Sequence, residues 1–251
     1  MGNVAESICR GHGHKEAPAS NEKITLKYFP IAGRAEPIRL AMVIGGVKFF
    51  DQRISGPEWE EKHKKLAPFG QVPLLLVGPK VISQTKAILR YVGKFSKYQG
   101  QPLYPTAALV AAKVDELLDA FDDLWILLAP TYRIADQGQR ELARQRLFAP
   151  GGEAALMLDK LERPLQKSST GFVVPEANGL TIADLMYFGF LNTIRSGFIE
   201  GLGPDSLDPW GKLMSHKEKV AAIPEVRAYY ADASISNPNG IPYYDVFLPG
   251  K

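Results

Sequence analysis

Val72-Pro73-Leu74-Leu75-Leu76-Val77-Gly78-Pro79-Lys80-Val81-Ile82-Ser83-Gln84-Thr85-Lys86-Ala87-Ile88-Leu89-Arg90-Tyr91-Val92 holds a strand, a turn, a second strand and a helix in one run. Its unbroken apolar segment, entered through a proline, has the pattern of a strand covered on both faces. Gly78-Pro79 turns the chain into Val81-Ile82, and Gln84-Thr85 opens a helix whose apolar face is Ala87, Ile88, Tyr91 and Val92. Upstream, the polar stretch Trp59 to Lys65 reads as a short helix and Val47 to Ile54 as a strand. Before them Ala35-Glu36-Pro37 starts a helix with proline in its first turn. Ile38, Ala41, Met42 and Ile44 supply its stripe, and Gly45-Gly46 ends it. Ile24 to Phe29 alternates as a strand and stops at Pro30. The order βαβαββα over residues 24–98 is that of a small α/β domain with helices on a mixed sheet.

Downstream the pattern changes. Residues 99–105, with Pro102 and Pro105, read as a linker, and helical periods replace strands beyond it. Val114, Leu117, Leu118, Phe121, Leu124, Trp125 and Leu128 recur at the 3.6-residue period, and Leu142 to Leu165 reads as a helix interrupted around Ala149-Pro150-Gly151-Gly152. Thr181-Ile182-Ala183-Asp184 has the form of a capping pair ahead of Leu185 to Ile194. Residues 106–235 are therefore expected to form an all-α domain. Residues 1–23 lack apolar periodicity and are expected to be a flexible extension. Residues 236–251, with Pro238, Pro242, Tyr243, Tyr244 and Phe247, are too rich in proline for a helix, and their aromatics point to a packed tail.

Composition narrows the chemistry. The 251 residues carry 30 Lys+Arg against 27 Asp+Glu and one cysteine. Cys9 alone forms neither an internal disulfide nor a dithiol pair, so any thiol chemistry must come from a ligand, and a reducing, cytoplasmic compartment is expected. A net charge of +3 with interleaved signs offers no basic stripe for nucleic acid. The apolar runs fall short of the roughly 20 residues that cross a bilayer. Met1-Gly2 lacks the Ser or Thr at position 6 that acylation wants, and Cys9, His12 and His14 lie in a tail too loose to be read as a metal site.

Tyr28-Phe29-Pro30, Gly33-Arg34-Ala35-Glu36-Pro37-Ile38-Arg39, Trp59, Pro68-Phe69-Gly70-Gln71-Val72-Pro73, Gln84 to Tyr91 and Thr181 to Asp184 together resemble cytosolic glutathione transferases, nearest the tyrosine-using sigma type. The similarity runs from Ile24 to about Tyr230. Each motif is short, but their order and spacing make the joint match specific. The resemblance implies a thioredoxin-like N-terminal domain that binds glutathione as co-substrate. It also implies an all-helical C-terminal domain shaping a pocket for small hydrophobic electrophiles, a homodimer, and a role in glutathione metabolism and detoxification. The same thiolate chemistry would serve a glutathione-dependent isomerase or peroxidase, and the fold also hosts non-catalytic binders.

The chemistry of such a site can be set against these residues. A free thiol with a pKa near 8.5 is only about 3% thiolate at pH 7, so activation is the main task. A Tyr28 hydroxyl donating to the sulfur and lowering that pKa by about two units would raise the thiolate to about three quarters. Tyr28 equally reads as a strand aromatic, and Arg34 either adds positive potential or pairs with Glu36. The family match places a γ-glutamyl carboxylate at Gln84 and Thr85, where a helix start leaves N–H groups unpaired; Thr85 also reads as a simple N-cap. It makes Val72-Pro73 a cis bond presenting the Val72 backbone to the peptide, where the residues alone read as a trans turn proline. Trp59 and Lys64 would hold the glycyl carboxylate with Gln71 nearby, His63 and Lys64 being interchangeable. Asp123 would reach the neighbouring subunit's glutathione. Asp115, Asp119 and Asp122 share one helix face and need positive partners unless solvated. They resemble a divalent-cation site of the prostaglandin-isomerising branch, but carboxylates so exposed are not expected to hold a metal. Phe29, Trp125, Leu128 and Tyr132 are the candidates for the electrophile pocket, or else core residues.

Overall fold

Leu26 faces Asp51 across one ladder and Leu75 across the other, which puts the first strand inside the sheet. The computed structural model describes Pro18 and residues 22–237. Strand β1 (Ile24–Tyr28) pairs parallel with β2 (Phe50–Arg53) and antiparallel with β3 (Leu74–Val77), which pairs antiparallel with β4 (Lys80–Ser83), giving the order β2-β1-β3-β4. A parallel pair needs a crossover, and α1 (Glu36–Ile44) supplies it. Leu26 and Leu75 are fully buried, and α1 packs on α3 (Thr85–Phe95).

Three local expectations need correction. The second strand begins at Phe50 rather than Val47, because the Val47 N–H turns back to the Met42 carbonyl at 2.8 Å. The Trp59 region is a helical run of changing pitch. Ser55 caps α2 (Gly56–Glu58), the chain widens into a π turn at Trp59–His63, and it tightens into a 3-10 turn at Lys64–Leu66. Finally, a hairpin of two-residue strands, β5 (Lys97–Tyr98) with β6 (Gln101–Pro102), spans the point at residue 99 where the linker was expected to begin.

The second half is helical, with α4 (Ala108–Leu128), α5 (Gln137–Phe148), α6 (Glu153–Lys167), α7 (Ile182–Arg195), α8 (Gly211–Ala221), α9 (Pro224–Ala231) and α10 (Ala233–Ser236). The helix expected from Leu142 to Leu165 is two helices, and the first starts earlier because the Asp136 carboxylate accepts the Gln139 N–H at 2.8 Å. Every residue of α7 from Ile182 to Ile194 is buried, so this helix has no polar face and serves as the axis on which α1, α4 and α8 pack. Its first turn is tied by Asp184, which accepts the Thr181 N–H and O–H at 2.8 Å each, the Val173 N–H at 2.8 Å and a bond with His216 at 2.9 Å. One hydrophobic cluster runs through both halves. Where they meet, a Cβ on Gly93 would lie 2.7 Å from Ile182, so α3 can approach α7 only through glycine. Cys9, His12 and His14 of the N-terminal extension, and the tail beyond residue 237, lie outside the described residues.

Candidate active site

A cavity of about 470 Å³ opens between the sheet and α4, lined by Phe29, Arg34, Trp59, Gln71, Val72, Pro73, Gln84, Thr85 and Asp122. Five loop or element ends of the first half and one helix of the second thus supply its walls, as expected of a site built where strands end. Trp59 is buried against Ile54 and Leu74 and meets Phe29 edge-on at 6.4 Å. The Val72–Pro73 bond is cis. Gln84 has positive φ (72°), and its amide donates to the Gln71 side chain at 3.1 Å. Gln84, not Thr85, is the N-cap of α3, and no side chain caps that helix. Thr85 is its first residue, so the first-turn N–H groups face the cavity edge without an intrahelical acceptor.

Tyr28 is not itself a lining residue, but its chain neighbour Phe29 and its hydrogen-bond partner Arg34 both are. Tyr28 is only 7% exposed, and its hydroxyl accepts the Arg34 N–H at 3.1 Å. The chain passes over the hydroxyl through Gly33, whose φ is +45°; a Cβ there would sit 2.8 Å from the Tyr28 oxygen. Burial pushes the phenol above its ordinary value of 10.0, and the Arg34 N–H with the Arg39 and Arg34 charges offsets this only in part. Tyr28 therefore holds its proton at neutral pH, and a hydroxyl that accepts at one lone pair still has an O–H to give.

Arg34 does not pair with Glu36. Its guanidinium donates to Asp122 at 2.6 Å and lies 5.5 Å from the Trp125 ring centre. Asp122 also lies 3.4 Å from the Lys86 ammonium, which reaches Asp119 at 2.8 Å; Arg90 bonds Asp115 at 2.6 Å and lies 3.8 Å from Asp119. Asp115, Asp119 and Asp122 are thus one side of an ion-pair ladder between the two halves and not a solvated acidic face. Among the described residues no group of three or more His, Cys, Asp or Glu side chains is placed to hold a metal ion.

Several expected site residues stand elsewhere. Lys64 is held by Glu60 at 2.9 Å, His63 lies between Lys27 and Glu58, and neither lines the cavity. Asp123 is exposed, and the acid on this cavity wall is its neighbour Asp122. Leu128 is fully buried, so it is a core residue. Trp125 is half-buried against Phe190, and Tyr132 is 53% exposed with the Arg144 guanidinium 4.8 Å from its ring centre. Burial raises the Tyr28 and Tyr132 phenols alike, and the Arg34 charge, which acts on both, offsets this only in part. The place of Asp122 on the cavity wall and its pairing with Lys86 were not foreseen. The signal was present as two complementary rows, Lys86 and Arg90 four apart on α3 against the acids spaced four and three on α4.

Comparison with known proteins agrees with this geometry. Residues 24–94 match the glutathione S-transferase N-terminal domain, and residues 132–233 match a glutathione S-transferase C-terminal domain. Glutathione S-transferase 1 of Ascaris suum is 32% identical over 82% of this chain and 95% of its own length. Hematopoietic prostaglandin D synthase of Mus musculus is 32% identical over 81% of this chain and 93% of its own. Monomeric Na-GST-3, a glutathione S-transferase of Necator americanus, superposes with a TM-score of 0.71 at 28% identity, over 83% of this chain and 96% of its own. The thioredoxin-like first half, the helical second half and these matches converge: the chain belongs to the glutathione S-transferase family, whose co-substrate is glutathione.

Proposed function

We propose that this glutathione S-transferase holds the tripeptide along the cavity wall formed by Trp59, Gln71, Val72, Pro73, Gln84 and Thr85, and that Tyr28 donates its O–H to the sulfur. The observation that carries the reading is the fixed, protonated Tyr28 hydroxyl beside a cavity whose other end is an uncapped helix start. The N–H groups of α3 suit a carboxylate, and the positive helix end favours it. Arg34, with its charge shared to Asp122, adds positive potential near the sulfur. The thiol proton leaves to solvent and the sulfur attacks an electrophilic carbon. The S–C bond forms as the leaving group departs with its electron pair.

The electrophile side lies toward Phe29, Trp125 and Tyr132, which are aromatic and partly exposed. Small hydrophobic electrophiles and a detoxifying role fit that lining. A cytosolic homodimer belongs to the same proposal. Leu66 and Phe69, 82% and 67% exposed on the N-terminal half, and Leu109, 76% exposed on α4, are surfaces a second copy would cover, with Asp123 near that interface. Among the described residues no helix is long and apolar enough to cross a membrane.

A turnover assay with glutathione and an aryl chloride tests the reading. Tyr28→Phe removes one hydrogen bond to a charged group, worth about 1.5–3 kcal/mol, so kcat/KM at neutral pH should fall roughly 10- to 100-fold. Full activity in the Phe variant removes Tyr28 from the mechanism. Sedimentation of the wild type reports the oligomeric state.

A further inference from the structure

The Arg34 N–H sits on the Tyr28 oxygen only while the loop before it keeps its course through the left-handed Gly33. The two carbonyls just ahead of that glycine, Ile31 and Ala32, both accept from one nitrogen of the Arg39 guanidinium, at 2.9 and 3.3 Å. Arg39 is fully buried with its guanidinium 5.8 Å from the Tyr28 ring centre, so its placement depends on its carboxylates. These are Glu36 at 2.8 Å, itself fully buried, and Asp51 at 3.0 Å. The second oxygen of Glu36 accepts the Tyr230 O–H at 2.6 Å, a short charge-assisted bond from α9, 194 positions along the chain.

We propose that Tyr230 is a positioning residue for Tyr28, acting through the chain of contacts Tyr230, Glu36, Arg39, the Ile31 and Ala32 carbonyls, and the Arg34 N–H. The proposal rests on the reading that Tyr28 stabilises the thiolate. Among the described residues, the other charged or titratable groups that act on Glu36 and Arg39 include Asp51 and Arg53 from β2 and Tyr229 from α9. Asp51 is shared with Arg53 at 2.8 Å, and the Tyr229 phenol is pushed well up by burial and by the Glu36 charge, so it stays neutral. Phenylalanine at 230 would retain the ring contacts with Phe188 and Tyr229 and lose only the hydroxyl.

The test is the pH profile of kcat/KM for conjugation in four full-length proteins: wild type, Tyr28→Phe, Tyr230→Phe and the double variant. The expected result is that Tyr230→Phe raises the apparent thiol pKa by about half a unit to one unit, which lowers kcat/KM some three- to tenfold on the acid side and less than twofold at the alkaline plateau. In the Tyr28→Phe background the same change should shift nothing further, because the two act through one contact. An equal shift in both backgrounds, or an unmoved profile in Tyr230→Phe, overturns the relay alone. A wild-type profile in Tyr28→Phe overturns the relay and the Tyr28 reading together. Glu36→Gln keeps the shape but not the charge that orients Arg39, and it must raise the same pKa. A folded Glu36→Gln protein with the wild-type profile also overturns the relay.

Discussion

Two networks of charge flank Tyr28, and they differ in almost every physical respect. Behind it, Glu36, Arg39 and Tyr230 are buried, Asp51 and Arg53 close the network at its half-buried edge, and the distances among these groups are 2.6 to 3.0 Å. In front, the ladder of Arg34, Lys86 and Arg90 against Asp122, Asp119 and Asp115 is partly wet, and the Asp119 side chain is 62% exposed. Similar contact lengths therefore carry different energies. Breaking a buried pair strands a charge that water cannot reach, whereas opening an exposed pair lets water replace the partner. The buried network holds the loop that positions the hydroxyl, and the ladder arranges charge at the cavity mouth.

The sharpest break of this contrast is Glu36→Ala. It leaves the buried Arg39 short of a carboxylate and should cost about 3–5 kcal/mol in urea denaturation; a loss under about 1 kcal/mol would make the two networks equivalent. A pH series separates them next. Burial raises the phenols of Tyr28, Tyr187 and Tyr229 in the folded protein. A raised folded pKa gives stability that is present below the unfolded value and lost as pH climbs through the folded one. Urea midpoints should hold at neutral pH and decline above about pH 10. A flat midpoint through that range would deny that these hydroxyls are sealed from water.

Gly33→Ala probes the loop itself. An alanine in the left-handed region costs about 1–2 kcal/mol, and its Cβ presses on the Tyr28 oxygen, so stability and acid-side turnover should both drop. Unchanged turnover would show that the loop does not set the hydroxyl. The smallest effect belongs to the ladder: Asp119→Asn should change stability by about 0–1 kcal/mol, and the difference should fade in high salt. A salt-independent loss of several kcal/mol would show that the front charges are as buried as the rear ones.

Much of this was legible in the residues, for identifiable reasons. Leu74 to Val77, the proline ahead of it and the helix start after Ser83 are local signals, and the strands and α3 followed from them. The length of β2 was not, because Val47 is spent on a backbone bond to Met42 that no side chain announces. Tyr28, Gln84 and Thr85 lie at element ends, where spacing along the chain carries information. Asp122 and Lys86 are joined only by the docking of α3 against α4, so periodicity showed that the acids needed cations without showing which. Asp123 and Lys64 carried the expected chemistry, but each lies outside the cavity lining. The tie between Tyr230 and Glu36 spans most of the chain and rests on packing alone.

Ultraviolet titration of the thiolate in the glutathione complex tests the central claim most directly. With Tyr28 present, half-ionisation should fall about two units below the free-thiol value near 8.5, and in Tyr28→Phe it should return toward that value. Equal titration curves for the two complexes would contradict the claim that the Tyr28 hydroxyl holds the sulfur as an anion.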